Sequence, residues 1–184
     1  MKSLQRSFRD YVDRRLVRRI KNMIEFETSV DIGCGDSLVG RLLGSTLAPW
    51  PYYDAQNLHQ FADGQFDLAL SLNVLEHLPM PQQALREMRR VARRLYLCCT
   101  PWYSPYGGHD FAPWHFFGRT RGRRIILGEN LFKTTVEDVR NWLQDAGWHV
   151  YGIAPRYWPW AWPVMFLPTP YCDFLAWNVE VLAA

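Results

Sequence analysis

Residues 30–36 read Val-Asp-Ile-Gly-Cys-Gly-Asp, and this run sets the expected architecture of the whole chain. The compact run Ser29–Ile32 predicts a short strand, and apolar residues at 38, 39, 42 and 43 predict a helix that ends at Gly44. Glycines at 33 and 35 allow a sharp turn and a close approach of a ligand to the backbone. A dinucleotide fingerprint would need a third glycine at position 38, where the chain has leucine. The run therefore indicates a nucleotide-binding turn without specifying the nucleotide.

Strands and helices are predicted to alternate along the rest of the chain. Helices are expected at Leu4–Ile24, Pro81–Arg94 and Val136–Ala146, the last opened by Thr135 and closed by Gly147. Strands are expected at Phe66–Leu70, Leu95–Cys99, Trp148–Ile153 and Phe174–Leu182, with one weak strand around Pro51–Asp54. This alternation predicts an α/β fold, a Rossmann-like doubly wound sheet with mostly parallel strands.

The bulk composition fits a single domain, residues 1–184, in a reducing compartment. The chain is 48% hydrophobic and 21% charged, which is ordinary for a globular protein that buries a core without metals or disulfides. Its four cysteines show no spacing typical of a disulfide framework or a zinc ribbon. The charged N-terminus lacks the apolar core of a signal peptide, and no apolar run of about 18 residues or more occurs. We therefore expect a cytoplasmic protein.

Charge is concentrated in the predicted N-terminal helix, residues 1–24. Residues 1–21 hold eight basic side chains and two acidic ones, a net charge of +6 within a chain of net charge +3. A basic helix of this kind can contact an anionic membrane surface, nucleic acid or an acidic partner. A solvated helix face without a partner is the other interpretation, and both stay open from the sequence.

A second informative stretch, residues 61–78, reads F-A-D-G-Q-F-D-L-A-L-S-L-N-V-L-E-H-L. It places a turn, a buried strand and then Asn73 at the carboxyl end of that strand. Ligands of open α/β sheets bind at this edge, beside the first strand. Asp31 lies at the carboxyl end of the first strand, where its carboxylate can accept hydrogen bonds from a cationic amine. A carboxylate at this place suits an amino-acid group and disfavours a pyrophosphate.

Together these two motifs resemble the class I S-adenosylmethionine (SAM) dependent methyltransferases, in particular the group called methyltransferase type 11, over roughly residues 28–101. The resemblance implies a sheet whose last strand is antiparallel, SAM as the cofactor, and methyl transfer to a small-molecule acceptor. It implies that the methionine portion of SAM is lined by Asp31, Gly33, Cys34 and Gly35. It also implies that Leu72 and Asn73 approach the cofactor from the strand predicted at Phe66–Leu70.

The region between Gly44 and Phe66 departs from that family, because it is too short for the usual strand, helix and strand. A shortened sheet, lacking one strand, and a more open adenine site are therefore expected. Asp54 lies at the separation expected of an acid that holds ribose hydroxyls. Asp54-Ala55-Gln56 also resembles the later family motif in which an acid meets the adenine amino group. A third interpretation makes Asp54 a turn residue.

Candidate catalytic groups lie in residues 100–118, which leave the carboxyl edge of the sheet after the strand at Leu95–Cys99. His109 and His115 are the titratable side chains there, and His109 is the first candidate for a general base. Both histidines can instead be packing residues that hydrogen-bond to the backbone. A metal site built from His109, Asp110 and His115 has a spacing that fits no helix or strand face, so no metal is expected.

The linker at residues 154–173 is rich in proline and aromatic residues. It can form an aromatic lid over an apolar or planar acceptor, contact a membrane interface, or simply pack on the core. The rival to catalysis is a non-catalytic module of the same fold that binds a protein partner, a membrane surface or nucleic acid. Arginines near the helix predicted at Pro81–Arg94 offer a phosphate-binding surface for that alternative.

Overall fold

A computed structural model describes residues 2–35, 38–104, 120–121, 124–125, 131–156 and 178–184. The helices are α1 (Lys2–Met23), α2 (Val39–Leu43), α3 (Pro81–Val91) and α4 (Val136–Asp145). The strands are β1 (Ser29–Ile32), β2 (Thr46–Ala48), β3 (Phe66–Leu72), β4 (Ala92–Cys99), β5 (Thr120–Arg121), β6 (Arg124–Ile125), β7 (Val150–Arg156) and β8 (Asn178–Ala183). A single 3₁₀ turn, Leu75–His77, joins β3 to α3.

Six of these strands form one sheet in the order β2-β1-β3-β4-β8-β7. Neighbouring strands from β2 to β4 are parallel, and β8 runs antiparallel to both β4 and β7. The predicted Rossmann-like fold, mostly parallel with an antiparallel last strand, is therefore confirmed. The carboxyl ends of β1 and β3 are adjacent, which creates the edge where a ligand is expected.

Helices cover both faces of the sheet. On one face α1 and α2 pack on β3, β4 and β8 through a cluster that includes Leu16, Ile20, Val39 and Tyr96. On the other face α3 and α4 pack through a larger cluster that includes Leu85, Met88, Val139 and Leu143. Since alternate residues of a strand point to opposite faces, Asp31 faces α1 and α2 while its neighbours Val30 and Ile32 join the larger cluster.

The short stretch after α2 corrects the predicted strand at Pro51–Asp54. The strand is β2 instead, which pairs in parallel with β1 through Val30, Asp31 and Ile32. Pro49 and Pro51 follow it, and because proline has no N–H to give to a ladder, the strand ends at Ala48. Between β2 and β3 the described residues contain only an isolated bridge between Asp54 and Asn57. The expected loss of one strand in this region is therefore observed.

The boundary between α3 and β4 also differs from the prediction. The helix expected to reach Arg94 ends at Val91, and β4 begins at once with Ala92. Ala92 pairs with Phe66 and Arg94 pairs with Leu68, so these residues form sheet hydrogen bonds with β3 and do not continue the helix. Arg93 and Arg94 therefore belong to a strand and not to the outer face of a helix. No helix among the described residues is both long and apolar enough to cross a bilayer.

Candidate functional site

The turn after β1 fits tightly against the turn after β3. Gly33 and Gly35 have positive φ angles of 71° and 47°, a conformation that favours glycine. The Gly33 N–H donates to the carbonyl of Ala48 at 2.8 Å, which ties the turn to β2. A Cβ at Gly33 would lie 2.7 Å from Cγ2 of Val74, whereas a Cβ at Gly35 would meet nothing within 4 Å. Gly33 is thus packed from the β3 side and Gly35 faces open space.

Asp31 lies beneath this turn and is completely buried. Its Oδ2 accepts a hydrogen bond from the Gly40 N–H at 3.1 Å, in the first turn of α2. Its Oδ1 has no hydrogen-bond partner among the described residues. Burial raises the pKa of Asp31 from 3.8 to about 7, and the nearby carboxylate of Asp13 acts in the same direction. The side chain is therefore an acceptor with one unused oxygen beside the glycine turn.

Helix α1 takes part in the same corner of the molecule. Oδ2 of Asp13 accepts a hydrogen bond from the Leu38 N–H at 3.2 Å, at the beginning of α2. Two carboxylates from other elements, those of Asp13 and Asp31, therefore satisfy N–H groups at the start of this short helix, which has no side-chain cap of its own. The sequence motif pointed to Asp31 alone, because the approach of α1 depends on tertiary packing.

Asn73 directly follows β3 and adopts a left-handed conformation at the same sheet edge. It is exposed and has a φ angle of 59°, the only positive value at a non-glycine residue in the described part of the chain. Its N–H donates to the carbonyl of Cys98 at 2.8 Å, and its Oδ1 accepts from Nδ2 of Asn178 at 2.6 Å. Asn73 therefore projects from the edge with its amide oxygen fixed by β8. Leu72 is half-buried and packs on the α1 side of the sheet.

Cys34 lies between the two glycines and is buried. Burial, followed by the charge of Asp31, raises the pKa of its thiol above 9.0. The thiol is thus protonated at neutral pH, which makes it a small packing group in the turn and a poor nucleophile.

Asp54 lies six residues beyond the last residue of β2, in the shortened region. Its Oδ1 accepts from the Gln56 N–H at 2.9 Å and from Nε2 of Gln56 at 3.3 Å. Oε1 of Gln56 in turn accepts from the Met80 N–H at 2.9 Å, just before α3. The half-buried carboxylate therefore stabilises its own turn, as the third interpretation of Asp54 requires, and its Oδ2 takes no part in the bonds to Gln56.

The segment around Asp54 is held to α3 by a pair that sequence reasoning missed, Glu87 and Arg90. The Arg90 guanidinium donates to the carbonyls of Leu58 and Phe61, each at 2.9 Å, and to Glu87. Glu87 Oε2 also accepts from the Leu58 N–H at 2.8 Å. The Glu-x-x-Arg spacing places both side chains on one face of α3. The pair therefore holds the backbone at Leu58 and Phe61 against α3.

Glu76 is a second residue whose importance the sequence did not reveal. It lies in the 3₁₀ turn after β3, is completely buried, and accepts from the Thr100 N–H at 3.3 Å. Burial raises its pKa from 4.5 to about 7. Its carbonyl accepts from the Phe132 N–H at 2.7 Å. Glu76 therefore links the ends of β3 and β4 with the chain that enters α4.

The predicted catalytic residues His109 and His115 lie outside the described residues, as does most of the linker 154–173. The residues on either side of the segment that carries the two histidines are described, up to residue 104 and again from residue 131. The backbone N–H of Trp102 donates to the carbonyl of Thr134 at 2.9 Å. The Lys133 ammonium lies 4.1 Å from the Trp102 ring centroid. The segment therefore leaves and returns at the carboxyl edge of β4, next to the turn that carries Glu76.

Comparison with known proteins finds sequence similarity to methyltransferases over part of the chain. The methyltransferase domain family matches residues 50–95, which include the whole of the second motif, residues 61–78. An uncharacterised methyltransferase of Mycobacteroides abscessus is 36% identical over 122 residues, which are 58% of this chain and 47% of that protein. The chain thus spans about half the length of the curated relatives it matches.

Solved structures show the same fold at low sequence identity. A SAM-dependent methyltransferase from Archaeoglobus fulgidus superposes with a TM-score of 0.65 at 15% identity and covers 95% of this chain and 93% of that chain. A SAM-dependent methyltransferase from Thermotoga maritima has a TM-score of 0.61 at 15% identity and covers 100% of this chain and 94% of that chain. These structures confirm the Rossmann-like fold that the resemblance implied.

Proposed function

We propose that this chain binds SAM at the carboxyl edge between β1 and β3 and transfers its methyl group to a small apolar or aromatic acceptor. The observation that carries the proposal is the glycine turn above Asp31. There a buried carboxylate oxygen has no partner among the described residues, beside a turn whose second glycine faces open space. A buried, unpaired acceptor is costly unless a donor completes it, and an ammonium group is the strongest such donor.

The residues at this edge fit the proposed cofactor. Asp31 would accept from its amino group, Gly33, Cys34 and Gly35 would line its methionine portion, and Leu72 and Asn73 would approach from β3. Asp54 would face the nucleoside end, since it lies in the segment beside β2 that α3 holds in place. When bound, SAM supplies a methyl group on a positively charged sulfur, which is already activated toward a nucleophile.

The chain's own part in catalysis is then to position the acceptor and, where the acceptor carries a proton, to remove it. Positioning alone can supply much of the acceleration of a methyl transfer. His109, with His115 nearby in sequence, is proposed as the base, since histidine titrates near neutral pH. Its segment begins and ends at the edge that holds Glu76 and Trp102. The aromatic residues of the linker 154–173 are proposed to form the acceptor wall.

Transfer of an isotopically labelled methyl group tests the activity directly. The protein is incubated with methyl-labelled SAM and a panel of small aromatic and aliphatic acceptors, and Asp31→Asn is compared with Asp145→Asn. Asp145 is an exposed acid at the end of α4, so its variant controls for the loss of one charge. We expect labelled product with the native protein and the Asp145 variant. Binding of SAM without transfer to any acceptor would favour the non-catalytic module instead.

A further inference from the structure

Three cations of α1 lie along one open groove between α1 and α2. Arg14, Arg18 and Lys21 are exposed and, together with Val17 and Leu42, line a groove of about 320 Å³. Their spacing of four and three residues places them on one side of the helix, one above the other. The groove therefore has a basic wall and an apolar floor, and none of the described residues that line it is acidic.

The structure shows no acidic partner for these three cations among the described residues, whereas several arginines near α3 are engaged in contacts within the protein. Arg90 is paired with Glu87 and Asp63, Arg93 lies 3.6 Å from Asp67, and Arg94 donates to the carbonyl of Glu25. Arg89 lies over the Trp148 ring at 5.1 Å. Four of the arginines expected to form a phosphate-binding surface near α3 are thus engaged within the protein, whereas the three cations of the α1 groove have no acidic partner among the described residues.

The basic face is presented by a helix that is firmly docked. Leu16, Ile20 and Ile24 bury the opposite side of α1 against the sheet. Arg19 donates through Nε to Oε1 of the buried Glu180 at 2.8 Å, which joins the helix to β8. The groove cations therefore need no folding transition to meet a ligand, and a flat anionic surface can contact all three together.

We infer that this groove docks the protein on the surface of an anionic phospholipid bilayer. Charge complementarity supports an anionic surface, since clusters of Lys and Arg on a helix bind acidic lipid headgroups. The apolar floor favours lipid over nucleic acid, because a phospholipid whose headgroup enters the groove can place its glycerol and acyl carbons against Val17 and Leu42. Tyr11, which is 52% exposed, lies three residues before Arg14 on the same face of the helix and suits the headgroup region.

Vesicle co-sedimentation tests the inference without using the cofactor site. The native chain is mixed at about 0.1 M salt with vesicles of phosphatidylcholine alone or with phosphatidylserine added. Arg14→Gln/Arg18→Gln/Lys21→Gln is compared with Arg86→Gln/Arg93→Gln/Arg140→Gln, which removes the same charge from exposed arginines of α3, β4 and α4. Near a membrane each basic residue contributes about fivefold to binding, so we expect a loss on the order of 100-fold for the groove variant. The control variant should lose less than about fivefold in binding to the anionic vesicles.

Three results would overturn the inference. One is equal binding of the native chain to neutral and anionic vesicles, and another is equal loss in the two triple variants. The third is tighter retention on duplex DNA than on anionic vesicles at matched phosphate concentration, which would assign the groove to nucleic acid. Thermal unfolding of both variants verifies that each remains folded, as expected for substitutions at exposed positions.

Discussion

Val74 leaves no room for a side chain at Gly33, since a Cβ there would lie 2.7 Å from Cγ2 of Val74 and 3.1 Å from Cγ1. This contact joins the turn after β1 to the turn after β3. Val74 is itself buried and follows Asn73, so the valine side chain cannot move aside without disturbing the end of β3. The two turns that border the proposed cofactor site are therefore held together by direct packing.

Gly33→Ala should lower the free energy of unfolding by about 1–3 kcal/mol, because the new methyl group meets Val74 and the positive φ angle strains alanine. Gly152→Ala is the matched control. Gly152 lies in β7, no positive φ is seen there, and a Cβ at this position would meet nothing within 4 Å. Urea unfolding of the two variants gives the comparison, and equal stability would show that the Gly33 contact relaxes easily.

Gly40→Ala should destabilise the protein even though alanine is the better helix former. In an open helix position this change would stabilise by up to about 1 kcal/mol. A Cβ at Gly40 would lie 2.4 Å from Oδ2 and 2.7 Å from Cβ of Asp31, so the carboxylate must move. A double-mutant cycle with Asp31→Ala measures the coupling by urea unfolding. If the effects of the two changes on the free energy of unfolding are additive, the close contact between Gly40 and Asp31 is contradicted.

Arg90→Gln should cost about 2–4 kcal/mol of stability, because two backbone carbonyls and Glu87 lose a charged donor. The control is Arg93→Gln, whose ion pair with Asp67 is 3.6 Å long and whose side chain is 75% exposed. Such exposed pairs contribute at most about 1 kcal/mol. Hydrogen exchange should also show faster exchange of the Leu58 N–H in the Arg90 variant. If Arg90→Gln loses no more stability than Arg93→Gln, Arg90 does not anchor the segment around Asp54 to α3.

Glu76 should make the protein less stable as the pH rises. Burial raises its pKa from 4.5 to about 7, so between these values the folded protein holds a proton that the unfolded chain has released. The favourable contribution is complete below about pH 4.5 and is lost as the pH passes 7. In Glu76→Gln the free energy of unfolding should therefore fall less between pH 5 and pH 8 than in the native protein. Glu137→Gln, at an exposed position, should keep the native slope.

His109→Ala should reduce turnover by about 100-fold or more if the imidazole removes a proton from the acceptor. His59→Ala is the control, since His59 is exposed and lies before β3. The measurement is the rate of labelled methyl transfer at saturating SAM, with binding of the cofactor checked separately. A loss of only a few-fold would assign the acceleration to positioning and leave His109 without a base role.

The sequence predicted those parts of the fold that depend on local patterns. The glycine turn, the strand Ser29–Ile32 and the cap at Thr135 were found where expected, and Thr135 and Asp138 form a full capping box. The strand expected around Pro51–Asp54 was wrong, because β2 is only three residues long and is defined by its pairing with β1. So short a strand carries no periodic signal.

The anchoring contacts of the site were beyond sequence reasoning for a different reason. Arg90 reaches Leu58 across 32 positions of sequence, and Asp13 reaches Leu38 across 25. Such contacts depend on how whole elements pack, and a charged residue on a helix is equally compatible with exposure to solvent. The burial of Glu76 could not be predicted either, since a Glu-His pair after a strand has the pattern of the polar first turn of a helix.

Titration calorimetry with S-adenosylhomocysteine, the demethylated product of SAM, tests the central claim most directly, because the claim is that the cleft above Asp31 holds this class of ligand. The native protein should bind with a dissociation constant on the order of micromolar. Asp31→Ala should weaken binding at least tenfold while Asp145→Ala leaves it unchanged. No heat of binding with the folded native protein, or equal affinity in both variants, would contradict the account.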